Sequence, residues 1–185
     1  MDFPEKIETM RLVLKRPENS TFELAKEMYA CVEKSRDHLK RFLPWARTLN
    51  SAEKEFLCLK EYEKRWEEQS GFAYLIYLKE TDRFSGVIDL INVDVKNKSA
   101  EIGFWLDQDA CGKGYMLEAV KALEKEAFRQ GFHRIVIGND PENIKSANVA
   151  KNAGYHLDGV LRQNRFDEET GQFCDSNVWS KLASE

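Results

Sequence analysis

Apolar and polar positions alternate, then recur every three to four residues, then alternate again, and these changes of period divide the chain into elements. Between Arg11 and Lys15, Leu12 and Leu14 alternate against charged neighbours, which predicts a strand stopped by Pro17. Ser20 or Thr21 then caps a helix with Glu23 behind it, and Phe22, Ala25, Tyr29 and Val32 form its inward face. After Phe42-Leu43-Pro44-Trp45, Ser51 and Lys54-Glu55 open a second helical stretch. Its stripe is Phe56, Leu59, Tyr62 and Trp66, and it ends near Gly71.

The period then shortens. Phe72 to Leu78 is a nearly unbroken apolar run, Thr81-Asp82-Arg83 reads as a turn, and Gly86 to Val95 and Ala100 to Leu106 read as two further strands of an antiparallel meander. In the last of these, Ala100, Ile102, Phe104 and Leu106 point one way, and Glu101, Gly103 and Trp105 the other. A glycine-bearing loop, Cys111-Gly112-Lys113-Gly114, leads into a helix with the stripe Tyr115, Met116, Ala119, Val120, Leu123, Ala127 and Phe128, closed by Gly131. A strand (Arg134 to Ile137), a short helix (Ile144 to Asn152, stopped by Gly154) and two final strands complete the order. The class is α/β with a single mixed, mostly antiparallel sheet flanked by helices.

Composition narrows the functions. A chain of 185 residues with 42% apolar and 32% charged residues builds one domain, residues 1–185, with its own core. The four prolines never cluster into a linker. With 28 Lys+Arg against 32 Asp+Glu the net charge is -4, the wrong sign for holding a nucleic-acid backbone over a broad face. No run approaches the roughly 20 apolar residues of a membrane span, and the start lacks a signal-peptide profile, so a cytoplasmic setting without membrane attachment is expected. Cys31, Cys58, Cys111 and Cys174 are scattered, and His38, His133 and His156 lack metal-ligand spacing, so free thiols and no metal are expected. Glu67-Glu68 and Asp167-Glu168-Glu169 read as solvated surface. A homo-oligomer stays open, because one sequence does not separate an apolar surface patch from core.

The chemistry is concentrated where the strand ending at Leu106 passes through Gly112-Lys113-Gly114 into a helix. Free N–H groups and the helix dipole meet there, an arrangement that holds phosphate, although two glycines before a helix are also an ordinary tight turn. A Walker A loop needs glycine where this chain has Asp107 and Ser or Thr where it has Gly114. The dinucleotide fingerprint needs a third glycine where Leu117 stands.

The string Ala100-Glu101-Ile102-Gly103-Phe104-Trp105-Leu106, then Gly112-Lys113-Gly114-Tyr115-Met116 with Glu118-Ala119, Asn143-x-x-Ser146 and Gly154-Tyr155 resembles the GNAT acetyltransferases. Thr9-x-Arg11-Leu12, Phe42-Leu43-Pro44-Trp45 and Asp175-x-x-x-Trp179 extend the resemblance over nearly the whole chain, toward the RimJ/RimL branch that acetylates protein N-termini. It implies the GNAT fold, with acetyl-CoA in a cleft between the fourth and fifth strands counted from Arg11. The pyrophosphate would lie on backbone amides of Cys111, Gly112, Lys113, Gly114, Tyr115 and Met116, and the pantetheine arm along Trp105 and Leu106. The reaction it implies is direct attack of an amine on the thioester without a metal, with backbone N–H groups placed to support the developing oxyanion.

The resemblance also distributes roles. Glu101 is the candidate general base, through water, against a structural ion pair. Ser146 is the candidate acid at the departing sulfur, against a serine that satisfies its own helix. Asn143 binds the pantetheine, caps the helix, or does both. Phe42, Leu43 and Trp45 wall the acceptor entrance or are plain core. Family members commonly carry Arg or Gln at the position of Cys111 and Tyr at that of Ala150, so this chain departs at both; Cys111 reads as a small packing thiol. The implied acceptor is a protein or peptide N-terminal amine. A small amine, or acyl-CoA binding without turnover, is the alternative.

Overall fold

The computed structural model describes residues 1–185. Its strands are β1 (Lys6–Glu8), β2 (Leu12–Lys15), β3 (Phe72–Leu78), β4 (Arg83–Asp94), β5 (Ser99–Leu106), β6 (Arg134–Asn139), β7 (His156–Asp167) and β8 (Gln172–Leu182). The helices are α1 (Phe22–Leu39), α2 (Trp45–Thr48), α3 (Ala52–Glu67), α4 (Tyr115–Arg129) and α5 (Ile144–Asn152). All strands join one sheet in the order β1-β2-β3-β4-β5-β6-β8-β7. Only β5 and β6 run parallel. Short β1, with no alternating run to announce it, pairs Ile7 with Leu14 and adds an edge the sequence pattern does not predict. The fourth and fifth predicted strands are therefore β5 and β6.

Local chemistry accounts for the helices. Thr21 is the cap of α1, accepting from the Leu24 amide, and Ser51 caps α3 by accepting from Lys54. The inward face of α1 is Ala25, Met28, Val32, Ser35 and Leu39. Phe22 sits a turn too early for that face: it is 37% exposed and packs edge-on against Phe56 at the helix ends. In α4, Met116, Ala119, Val120, Leu123 and Ala127 are buried as the stripe predicts, and Glu124 is buried with them, paired to Lys181 Nζ at 2.7 Å.

The sheet separates two cores. Ala100, Ile102 and Leu106 of β5 join the core under α4, with Phe104 packed against it; Trp105 joins the core under α1 and α3. The predicted alternation along this strand therefore holds. Gly86 makes the close β4–β5 approach feasible, since a Cβ there would meet the Trp105 carbonyl oxygen at 2.3 Å. Asp107, 1% exposed, locks the end of β5 by accepting from Ser35 Oγ, Arg83 Nη1 and the Asp109 amide. No helix is long and apolar enough to cross a membrane.

Asp167 corrects the reading of 167–169 as solvated surface. It is 6% exposed and takes both Arg47 guanidinium nitrogens at 2.8 and 3.2 Å. Its Oδ1 also accepts from the Glu169 and Thr170 amides, tightening the β7–β8 turn. A run of like charge hid a carboxylate whose neutralising arginine lies 120 residues away.

Candidate functional site

Parallel pairing between β5 and β6 lasts for three residue pairs, Ser99↔Arg134, Ala100↔Ile135 and Glu101↔Val136. Beyond Glu101 the strands part, and Ile102 to Leu106 keep backbone groups with no strand partner on that side. The parting opens a cleft of about 890 Å³. One wall is β5 and the loop before α4, the other is the end of β6 and α5, and His38 to Leu43 close one end.

Twelve of the fourteen predicted site residues line this cleft: Phe42, Leu43, Glu101, Trp105, Leu106, Cys111, Gly112, Gly114, Tyr115, Met116, Asn143 and Ser146. The Lys113 side chain is exposed and off the wall. Trp45 lies behind the wall, its ring 5.8 Å from that of Trp105.

The loop has the backbone geometry that an anion cradle requires. Gly112 and Gly114 have φ of 77° and 78°, a region that side chains bearing a Cβ rarely adopt. Gly114 caps α4 without a side-chain hydrogen bond, so the first amides of that helix are left for a ligand. With Lys113 turned away, Arg41 and Lys145 are the lysine and arginine side chains on the cleft wall. Arg41 also reaches Glu142 across the mouth at 3.3 Å, an exposed pair that parts at little cost.

Glu101 is held from two sides. Its Oε2 accepts from Asn92 Nδ2 at 2.9 Å. Asn92 stands in a bulge of β4, with φ of 51°, a conformation asparagine tolerates better than most residues. On the other side Gly138 leaves room, since a Cβ there would stand 3.0 Å from Oε1. Sequence reasoning missed both residues. The polar Asn92 between Ile91 and Val93 was the available signal for a bulge.

On the opposite wall Asn143 caps α5, accepting from the Ser146 amide at 3.2 Å. Ser146 is buried on the cleft, and its hydroxyl forms no hydrogen bond within the chain, so its own helix does not satisfy it. Asn139, also missed, takes the Trp179 indole N–H on Oδ1 at 2.8 Å and donates to the Asp140 and Asn143 carbonyls. That chain gives Trp179 of the closing motif a purpose: it orders the turn into α5. Cys111 lies 3.5 Å from His38 Nε2. Burial pushes the thiol above its ordinary pKa, while burial and then the Lys145 charge hold His38 below its own, which suits a packing thiol rather than a nucleophile.

A family profile described as "Acetyltransferase (GNAT) domain" matches residues 11–156. The chain belongs to the GNAT acetyltransferase family. A ribosomal-protein-serine acetyltransferase of Escherichia coli (strain K12) is 28% identical over 158 residues, covering 85% of this chain and 86% of that one. Two solved structures share the fold of this acetyltransferase. One is RimL, a ribosomal L7/L12 alpha-N-protein acetyltransferase in complex with coenzyme A: TM-score 0.87, 24% identity, 96% of this chain and 98% of that one. The other is the microcin C7 self immunity acetyltransferase MccE in complex with acetyl-CoA and AMP: TM-score 0.86, 24% identity, 94% and 93%. The unpaired β5 edge and the amide cradle before α4 fit a GNAT acetyltransferase's donor, acetyl-CoA: an extended amide-bearing arm on one, a pyrophosphate on the other.

Proposed function

We propose that this GNAT acetyltransferase modifies the α-amine at a protein or peptide N-terminus, with Glu101 as base and Ser146 as acid. The observation that carries the acceptor is the relative acting on ribosomal-protein serine, which matches this chain over 85% of its length. A cytoplasmic setting follows from that acceptor. When bound, acetyl-CoA supplies a thioester whose carbonyl carbon takes the amine and whose thiolate leaves. The amides of residues 111–116 bind and orient the donor, and Trp105 and Leu106 pair with its arm. Glu101, oriented by Asn92, takes the amine proton through water; the unengaged Ser146 hydroxyl donates toward the sulfur. An α-amine, with an unperturbed pKa of about 7.7–8.0, is partly neutral near pH 7, so positioning supplies much of the rate. A lysine amine, at about 10.4, asks more of a single carboxylate.

The test is thiol release from acetyl-CoA with three acceptor sets: peptides with free N-termini, matched blocked peptides containing lysine, and small amines. Turnover confined to free N-termini supports the assignment. Turnover confined to small amines replaces it, and acetyl-CoA binding without turnover on any set favours a binding module or an acceptor outside the three sets. With the active acceptor, Glu101→Gln is expected to lower kcat by about a hundredfold or more and Ser146→Ala by about tenfold, both without loss of acetyl-CoA affinity.

A further inference from the structure

Gly112 and Gly114 are exposed, and both sit at positive φ. A glycine loop loses more conformational freedom on ordering than other segments do, so amides aimed at one spot need a hold from elsewhere. The hold comes from outside the cleft. Arg11, just before β2, donates from Nη1 to the Lys113 carbonyl at 2.8 Å. Its Nε donates to Glu118 Oε2 at 2.7 Å, and its Nη2 is 2.7 Å from the same oxygen. Glu118, in the first turn of α4, accepts on its other oxygen from Thr9 Oγ1 at 2.6 Å and the Arg11 amide at 2.7 Å. The guanidinium carbon lies 4.6 Å from the Tyr115 ring centroid, which adds a cation–π contact to the same joint.

We propose that Thr9, Arg11 and Glu118 form a clamp that fixes the 112–114 loop in its pyrophosphate-binding shape, making Arg11 a positioning residue for donor affinity. This rests on the reading of residues 111–116 as the pyrophosphate cradle. Arg11 does not line the cleft, and its guanidinium is occupied by Glu118 and Lys113, so it acts through the loop. Arginine suits the task because its planar fork fixes the directions in which it serves the Glu118 carboxylate and the Lys113 carbonyl, whereas an ammonium is a rotatable point donor that leaves the loop free to turn about it. The Thr9-x-Arg11 spacing matters for the same reason: the threonine hydroxyl and the arginine amide converge on one Glu118 oxygen.

The experiment compares kcat/KM for acetyl-CoA with kcat/KM for S-acetylpantetheine, which lacks the pyrophosphate, on one preparation with one amine. The ratio is insensitive to the fraction of folded protein. Arg11→Gln is expected to cut the acetyl-CoA value about tenfold, the worth of one charge-assisted hydrogen bond, and to leave S-acetylpantetheine and kcat at saturating acetyl-CoA unchanged. Thr9→Val, a milder change, moves the ratio in the same direction. Gly112→Asp, which places a carboxylate in the cradle, is expected to abolish the preference for acetyl-CoA. Arg11→Gln lowering both donors equally, while Gly112→Asp collapses the preference, overturns the clamp and leaves the cradle standing. Gly112→Asp with the preference intact overturns the cradle reading and the clamp with it.

Discussion

A Cβ on Gly138 would stand 3.0 Å from Glu101 Oε1, at the point where β5 and β6 part. The contact falls on the end of a flexible side chain, so Gly138→Ala should fold and displace the Glu101 carboxylate from Asn92. Misplacing a reacting group by a fraction of an ångström is enough to lower kcat by about tenfold. KM for acetyl-CoA and the Tm are expected to hold. Steady-state kinetics and a melting curve check this; unchanged kcat would remove Glu101 orientation from the catalytic account.

Glu55, 3% exposed on α3, has an Oε2 without a partner, and burial pushes its pKa up to about 7. The folded state therefore holds this proton more tightly than the unfolded chain does. Stability from this group is full below the ordinary carboxylate range and is lost as pH rises from about 4.5 toward 7. Asp89, raised to about 6 by burial against the opposing pull of Arg65, acts in the same sense. Glu55→Gln is expected to shrink the fall in Tm between pH 5 and pH 8, read by calorimetry. An unchanged slope would mean that Glu55 is solvated.

Arg47 joins the α2 segment, beside the end of the cleft proposed to take the acceptor, to Asp167 at the β7–β8 turn. Its guanidinium and two amides hold the Asp167 carboxyl below the usual range. Arg47→Ala frees that turn from the segment carrying Phe42 and Leu43. The acceptor KM is expected to rise several-fold and the acetyl-CoA KM to stay put, measured by varying each substrate in turn. A matching rise for both would place the effect on the fold rather than on acceptor binding.

How much of this was legible depends on range. The alternation of Ala100 to Leu106 placed Glu101 and Trp105 on one face, and both line the cleft. The glycines before α4 read as a phosphate-holding loop or a tight turn, and both stand at positive φ. These are short-range signals, carried by residues a few positions apart. The hold on Glu101 was not legible, since Gly138 lies 37 residues along and contributes by having no side chain. Asp167 was misread for a related reason, because its partner Arg47 is remote and its neighbours are like-charged. Buried Glu55 and Glu124 were hidden because a helical stripe written in apolar letters leaves out a carboxylate that points the same way.

The brevity of the β5–β6 ladder has a mechanical side. Across the rest of the sheet, neighbouring strands are zipped by antiparallel ladders, most of them longer; here three residue pairs and the packing of α4 and α5 carry the load between two halves of the molecule. A donor paired along the open edge, as proposed above, would take the place of the missing rungs and act as a splint across the seam. Rigidity would then report occupancy, with the seam stiffer in the charged protein and looser once the spent carrier departs.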